Sequence, residues 1–216
     1  SDRIVVVGPD GEVIHEDTVV AVLAEHFVRA ADADDPVVVT TPNASGRIDE
    51  RVRAAGGRVE RVRLGALHEG IAAARAGGGD VVFAAEPWKH IHPGLGGWID
   101  GVASAAVFTR LVAESGLSTL REPVTERPYR KVSVACPDER KTAAMATLET
   151  TLPEAFPEAD VDTEHGVRLE RPDASWVLVR PSGTEPYVRV YAEADDVDAL
   201  VEAATDVVEA AVQSAG

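Results

Sequence analysis

Over its first half, the chain alternates short apolar runs with helical patterns, and clusters of glycine close the helices. This limits the folds open to it. Residues 36–41 form a run suited to a strand buried on both faces, and residues 46–55 read as a helix stopped by Gly56-Gly57. Strand 59–64, helix 67–76 (stopped by Gly77-Gly78-Gly79), strand 81–85 and a helix over 97–114 follow. Ahead of these, residues 4–7 and 12–14 read as two short strands around Pro9-Asp10-Gly11. Asp17-Thr18 reads as the cap of a helix carrying Val19, Val22, Leu23 and Val28. Parallel strands need crossover helices, so this alternation predicts a mixed, mostly parallel α/β/α domain.

Near residue 115 the pattern dissolves into Gly116, Ser118, Pro123 and charges. The expected division is a first domain over 1–117, a linker over 118–128 and a second domain over 129–216. Strands at 132–135, 160–162, 167–169, 176–180 and 187–192, with helices at 139–152 and 196–212, predict a small α+β domain with one sheet covered by two helices.

The 216 residues carry a net charge of −16 and only three lysines, Lys89, Lys131 and Lys141. Residues 1–124 hold eighteen acids against twelve bases and residues 125–216 nineteen against nine, so charge does not separate the halves. No basic stripe offsets this balance, which argues against a nucleic-acid partner. The acidic, lysine-poor composition resembles that of proteins from salt-loving archaea, whose self-repulsion is screened by high ionic strength. No apolar run has membrane-spanning length and no signal-peptide pattern opens the chain, so a soluble, cytoplasmic protein is the expectation. The single cysteine, Cys136, follows an apolar run and reads as a buried, inert thiol.

Arg180-Pro181-Ser182-Gly183-Thr184-Glu185-Pro186 lies between two strand-like runs. Arg180 can fork onto two phosphate oxygens, Ser182 and Thr184 add hydroxyl donors, and Gly183 lets backbone N–H groups turn toward an anion. The alternative is an ordinary hairpin turn with Ser-Gly at its bend. Arg189 is either a second anion contact or a partner of Glu193. Followed by Arg189-Val190-Tyr191-Ala192-Glu193, this stretch resembles the phosphate-binding loop of the α-D-phosphohexomutase superfamily. The resemblance implies that Arg180, Ser182, Gly183, Thr184 and Arg189 grip the phosphate of a sugar substrate in the family's last domain.

A second stretch, Glu86-Pro87-Trp88-Lys89-His90 after an apolar run, is similar to the family's sugar-reading Gly-Glu-x-Ser-Gly-His loop. Glu86 and His90 match, while Trp88 and Lys89 stand where serine and glycine are usual. The resemblance implies sugar contacts from Glu86, Trp88, Lys89 and His90: the carboxylate accepts sugar hydroxyls, the indole offers an apolar face and Lys89 can meet a phosphate. Chemistry alone leaves open a zinc cluster of Glu86, His90 and His92, or solvated loop residues. Asp100-Gly101 resembles the family's Asp-Gly at the start of the next helix. Gly65 resembles the glycine of a substrate-contacting loop but also fits a helix start, and His68 is a further candidate ligand.

The family's chemistry also needs a phosphoserine loop and a magnesium loop, Asp-Gly-Asp-x-Asp-Arg, in its first two domains. No serine here has the first context, and Asp2-Arg3 matches only the end of the second, with Ser1 either its variable position or a cloning remnant. The resemblance implies the third and fourth domains of a phosphomannomutase-type enzyme that interconverts hexose 6-phosphate and hexose 1-phosphate through a bisphosphosugar. Magnesium, the catalytic serine and the N-terminal domains would belong to the parent, and the fragment alone would be inactive. Asp2 would be the remnant of the metal site. The competing reading is a free-standing phosphosugar-binding or regulatory module.

Overall fold

The computed structural model describes residues 2–216. Ser1 lies outside the described residues. The chain divides into two compact units between Glu126 and Arg127. Unit 1 runs α1 (Glu16–Ala30), β1 (Pro36–Thr40), α2 (Gly46–Ala54), β2 (Arg58–Arg61), α3 (Leu67–Ala76), β3 (Asp80–Glu86), β4 (Lys89–Ile91), α4 (Gly101–Ser115) and α5 (Leu117–Arg121). The sheet order is β2-β1-β3-β4, with β1 parallel to both neighbours and β4 antiparallel to β3.

Every residue of β1 is buried because a helical layer covers each face. Val38, Phe83 and Ala85 pack with Leu23, Ile48 and Phe108 of α1, α2 and α4, whereas Val37, Val39 and Ala84 pack with Leu67, Ile71 and Ala74 of α3. This is the α/β/α arrangement that the alternation predicts.

Local differences have identifiable causes. Residues 4–7 and 12–14 form no strands: they meet only through an antiparallel bridge between Val7 and Val13, leaving both valines exposed. The cap of α1 is His15, whose Nδ1 accepts from the Asp17 N–H at 3.2 Å. Asp17 lies inside the helix, buried, and its Oδ2 accepts from the Ser45 N–H at the start of α2. Helix α4 begins at Gly101 rather than 97, because Asp100 Oδ1 accepts from Val102 and Ala103 N–H at 3.0 and 2.9 Å. The stretch read as the start of a linker is helical over Leu117–Arg121, and Leu120 and Val124 join the first core.

Unit 2 runs β5 (Tyr129–Ala135), α6 (Asp138–Ala155), β6 (Asp160–Asp162), β7 (Val167–Glu170), β8 (Trp176–Pro181), β9 (Tyr187–Glu193) and α7 (Val197–Ser214). Its sheet is antiparallel throughout, in the order β5-β9-β8-β7-β6. Strand alternation sends Val177, Val179, Val188 and Val190 to one face, where Leu148 and Leu152 of α6 and Leu200 and Val208 of α7 cover them. Trp176, Leu178 and Tyr191 form a separate buried group on the opposite face. Cys136, just after β5, is buried, and burial pushes its thiol up.

Candidate functional site

The loop of residues 182–186 joins β8 to β9, and the antiparallel register sets Arg180 directly opposite Arg189. Like charges in opposed sheet positions repel, so this pair is costly unless negative charge joins it. Tyr191 partly steadies it. Arg180 Nη2 donates to Tyr191 Oη at 3.2 Å, and the guanidinium lies 5.6 Å from the ring centre. Arg189 pairs with Glu185 inside the loop, not with Glu193, because Glu193 lies further along the strand. The Nε atoms of Arg180 and Arg189 are enclosed and have no hydrogen-bond partner among the described residues.

At the loop base the Ser182 N–H donates to Tyr187 O at 2.8 Å. Gly183, Thr184 and Glu185 are exposed, and among the described residues their N–H groups have no partner. Gly183 does not adopt the left-handed backbone, and a Cβ there would meet nothing within 4 Å. A bend that needs glycine's left-handed backbone is therefore not what places it here; the residue leaves the backbone uncovered and its N–H open. One contact has no motif behind it: Lys141 of α6 donates from Nζ to the carbonyls of Ser182 and Glu185 at 2.7 and 2.6 Å.

Gly166 is the glycine on which Arg180 depends. Its φ is +116°, and a Cβ there would fall 2.6 Å from Val179 O and 2.8 Å from Arg180 Cβ. Gly166→Ala is expected to cost about 1–3 kcal/mol of stability through a conformation almost confined to glycine, and to displace Arg180. Urea melts should show a lower midpoint, and calorimetry weaker sulfate binding. An unchanged midpoint and affinity would show that the close approach is not needed.

In unit 1, Glu86 ends β3 and faces Lys89 at the start of β4 across the two-residue turn Pro87-Trp88. The segment read as a loop is therefore a tight hairpin. Trp88 has φ +64°, a position where turns with a preceding proline favour glycine, so strain is held at this tip. Glu86 Oε2 accepts from the Gly65 N–H at 3.0 Å and Oε1 pairs with Lys89 Nζ at 2.9 Å. Gly65 has φ +81° and precedes α3 rather than starting it. Glu86, Lys89 and Gly65 thus gather beyond the C-terminal ends of the parallel strands, where open α/β sheets receive ligands. His68 Nε2 meets Gly97 O at 2.5 Å and ties α3 to the loop before α4.

His90 does not face solvent as a direct sugar contact would require. It is 1 % exposed, under the hairpin, with its ring edge against Phe83. His90 Nδ1 and His92 Nε2 both meet Ser104 Oγ of α4 at 2.8 Å. Burial lowers the His90 pKa to about 3 and also lowers that of His92, so both rings are neutral at pH 7. The zinc grouping does not form: the imidazoles converge on Ser104 while Glu86 turns to Gly65 and Lys89. Among the described residues no three His, Cys, Asp or Glu side chains are grouped to hold a metal.

The chain's start runs beside this hairpin. The Ile4 N–H donates to Trp88 O at 3.4 Å, and a Cβ on Gly101 would fall 2.6 Å from Arg3 O, which explains the glycine after Asp100. Asp2 is exposed and brings one carboxylate. Magnesium takes an octahedron of oxygens, usually from more than one carboxylate and waters, so the residues present do not fit a complete site for it.

The chain thus carries a three-layer unit with a carboxylate hairpin and, after it, an α+β unit with a two-arginine loop. The chain belongs to the phosphoglucomutase/phosphomannomutase family: residues 15–129 match its alpha/beta/alpha domain III and residues 132–210 its C-terminal domain. It is 40 % identical over 199 residues to a phosphopentomutase from Thermococcus kodakarensis, covering 90 % of this chain and 42 % of that protein. A probable phosphoglucosamine mutase from Methanopyrus kandleri is 39 % identical over 200 residues, again covering 90 % of this chain and 42 % of the relative. The chain thus spans less than half the length of these relatives. Among solved structures, a phosphoglucomutase/phosphomannomutase family protein from Burkholderia thailandensis superposes with a TM-score of 0.75 at 24 % identity, covering 99 % of this chain and 44 % of that one. The Aspergillus fumigatus N-acetylphosphoglucosamine mutase, solved with GlcNAc-6P and magnesium, gives 0.66 at 21 % identity, covering 100 % and 47 %. Both structures share the fold. In addition, no helix among the described residues is long and apolar enough to cross a membrane.

Proposed function

We propose that this chain is the substrate-binding half of a mutase of the phosphomannomutase type, which interconverts hexose 6-phosphate and hexose 1-phosphate. The opposed arginines Arg180 and Arg189, beside three unpartnered loop N–H groups, carry the reading. A phosphate adds negative charge between the two guanidinium groups, of which, among the described residues, only Arg189 already has a carboxylate partner, Glu185. Arg180 and Arg189 take its oxygens, with Ser182 and Thr184 hydroxyls and the Gly183 N–H completing the cradle. Glu86 accepts sugar hydroxyls while Lys89 neutralises its other oxygen, and Trp88 offers a ring face. Holding the phosphate that is not reacting fixes the sugar for in-line transfer at its other end, which is mainly a matter of positioning. The donor phosphoserine and the magnesium loop belong to the parent.

Calorimetry with mannose, glucose and glucosamine 6-phosphates and ribose 5-phosphate tests both the site and its sugar. The relatives named phosphopentomutase and phosphoglucosamine mutase make the last two the relevant competitors. Binding of at least one, with mannose 6-phosphate tightest, is the expected result; tighter ribose 5-phosphate binding would overturn the mannose assignment. Turnover by this chain with a bisphosphosugar primer would overturn its inactivity. The net charge of −16 further supports adaptation to salt, with a higher melting temperature in molar potassium chloride than in dilute buffer. Equal melting temperatures would refute that.

A further inference from the structure

The contact from Lys141 reaches beyond the family motif. Lys141 sits in the first turn of α6, the end of a helix where a cation is disfavoured by the macrodipole. Its side chain is 12 % exposed. The ammonium has three donors, and three acceptors surround it: Ser182 O at 2.7 Å, Glu185 O at 2.6 Å and Asp138 Oδ1 at 2.6 Å. Two of these are main-chain carbonyls from the two sides of the loop apex.

The consequence follows from peptide geometry. In a trans peptide the C=O and the following N–H point in opposite directions. Drawing Ser182 O onto Lys141 therefore turns the Gly183 N–H away from Lys141, to the uncovered side of the loop. The Glu185 carbonyl is followed by Pro186, which has no N–H, so that peptide supplies no donor of its own. Both carbonyls would repel an approaching anion, and the ammonium keeps them occupied.

Residue choice agrees. The chain has only three lysines among twenty-one Lys and Arg residues, and two of them, Lys89 and Lys141, hold the two loops, while Lys131 lies on β5. Lys89 pairs with Glu86, Lys131 lies 5.7 Å from the Tyr191 ring centre, and Lys141 holds the arginine loop. A compact ammonium can aim its three donors at oxygens that lie on different sides of it, whereas a guanidinium's donors are confined to one plane.

We propose that Lys141 is a positioning residue of the arginine loop: by holding the carbonyls of Ser182 and Glu185 at its two sides it aims the Gly183 N–H and fixes the 183–185 segment for a phosphate that it does not itself touch. This rests on the phosphate-loop reading above. The test compares the chain with Lys141→Met and Lys141→Gln, using glucose 6-phosphate calorimetry at several salt concentrations and amide NMR of residues 183–185 without ligand. A third sample, Lys141→Cys alkylated to aminoethylcysteine, restores an ammonium at lysine length.

The expected result is about a tenfold loss of affinity in both uncharged variants, one charge-assisted hydrogen bond's worth. The 183–185 amides should shift, the salt dependence of binding should stay as in the parent, and aminoethylation should restore affinity and amide positions. Unchanged affinity would overturn the proposal. So would a loss with unmoved amides and a shallower salt dependence, which would make Lys141 a direct contact. If the Met variant fails to fold, the Gln and aminoethylated chains carry the comparison. If the parent binds no sugar phosphate, the phosphate reading fails, and the free-state amides alone decide whether Lys141 orients the loop.

Discussion

Replacing Arg180 with alanine is expected to weaken glucose 6-phosphate or sulfate binding about 10- to 160-fold, the loss of one to two charge-assisted hydrogen bonds. Arg180 faces Arg189 across β8 and β9, with Tyr191 holding its guanidinium by a 3.2 Å hydrogen bond. Removing it relieves repulsion in the free protein, so the fold should be as stable as the parent or slightly more so. That separates a binding loss from a folding loss. Arg180→Lys keeps the charge but loses the fork and the Tyr191 contact, and should fall between the two. Tyr191→Phe removes only the hydroxyl and should cost less. Calorimetry alongside a urea melt reads both quantities. Equal affinity in parent and Arg180→Ala, or an affinity loss matched by a collapse in stability, would remove Arg180 from the site.

Elements with a strong period were legible in the sequence, and those defined by a single contact were not. β1, α3, β8 and β9 fall within a residue or two of their expected bounds because apolar runs and glycine stops mark them directly. Residues 4–7 and 12–14 form no strands because a short apolar run does not by itself make one: Val5, Val7 and Val13 have no sheet to join and stay exposed. β4 was missed because three residues paired across a strained turn leave no run to detect.

Site legibility follows the same division. The arginine loop was visible as a motif, but the Arg180–Arg189 opposition is a matter of register that strand lengths alone do not give. Lys141 lies about forty positions before the carbonyls it binds, with no pattern connecting them. His90 matches its motif position, from which the resemblance implies a sugar contact, yet the Ser104 hydroxyl fourteen residues later draws it inward. For Arg180 and His90 the motif marks the segment and the fold decides which way the side chain points; for Lys141 only the fold makes the connection.

That inward histidine makes unit 1 sensitive to acid. Burial lowers His90 to about 3, against an unfolded value of about 6.5. The unfolded chain therefore binds a proton that folded His90 refuses. The His90 contribution is complete above about pH 6.5 and is lost as pH falls toward 3, with an upper bound of about 5 kcal/mol. His15, lowered to about 4 mainly by burial and then by Arg47, acts in the same direction, as do His26 and His92. Glu16 opposes them: burial pushes it up to about 7, so protonating it favours the fold. Four histidines outweigh one carboxyl, and the net change between pH 7 and 4.5 is a loss. Unit 2 holds a single histidine, His165, so hydrogen exchange at pH 4.5 should show protection falling in α1, β3 and α4 while β8 and β9 keep theirs. His90→Gln can still meet the Ser104 hydroxyl but cannot take up the proton, so its urea midpoint should change less between the two pH values than the parent's. A parent midpoint that does not fall, or a His90→Gln midpoint that falls just as far, would show that protonation of His90 is not what weakens the unit. Because His90 and His92 share one hydroxyl, a second proton would set two cations against the same oxygen, and the hairpin carrying Glu86 would lose its seat before the sheet beneath it unfolds.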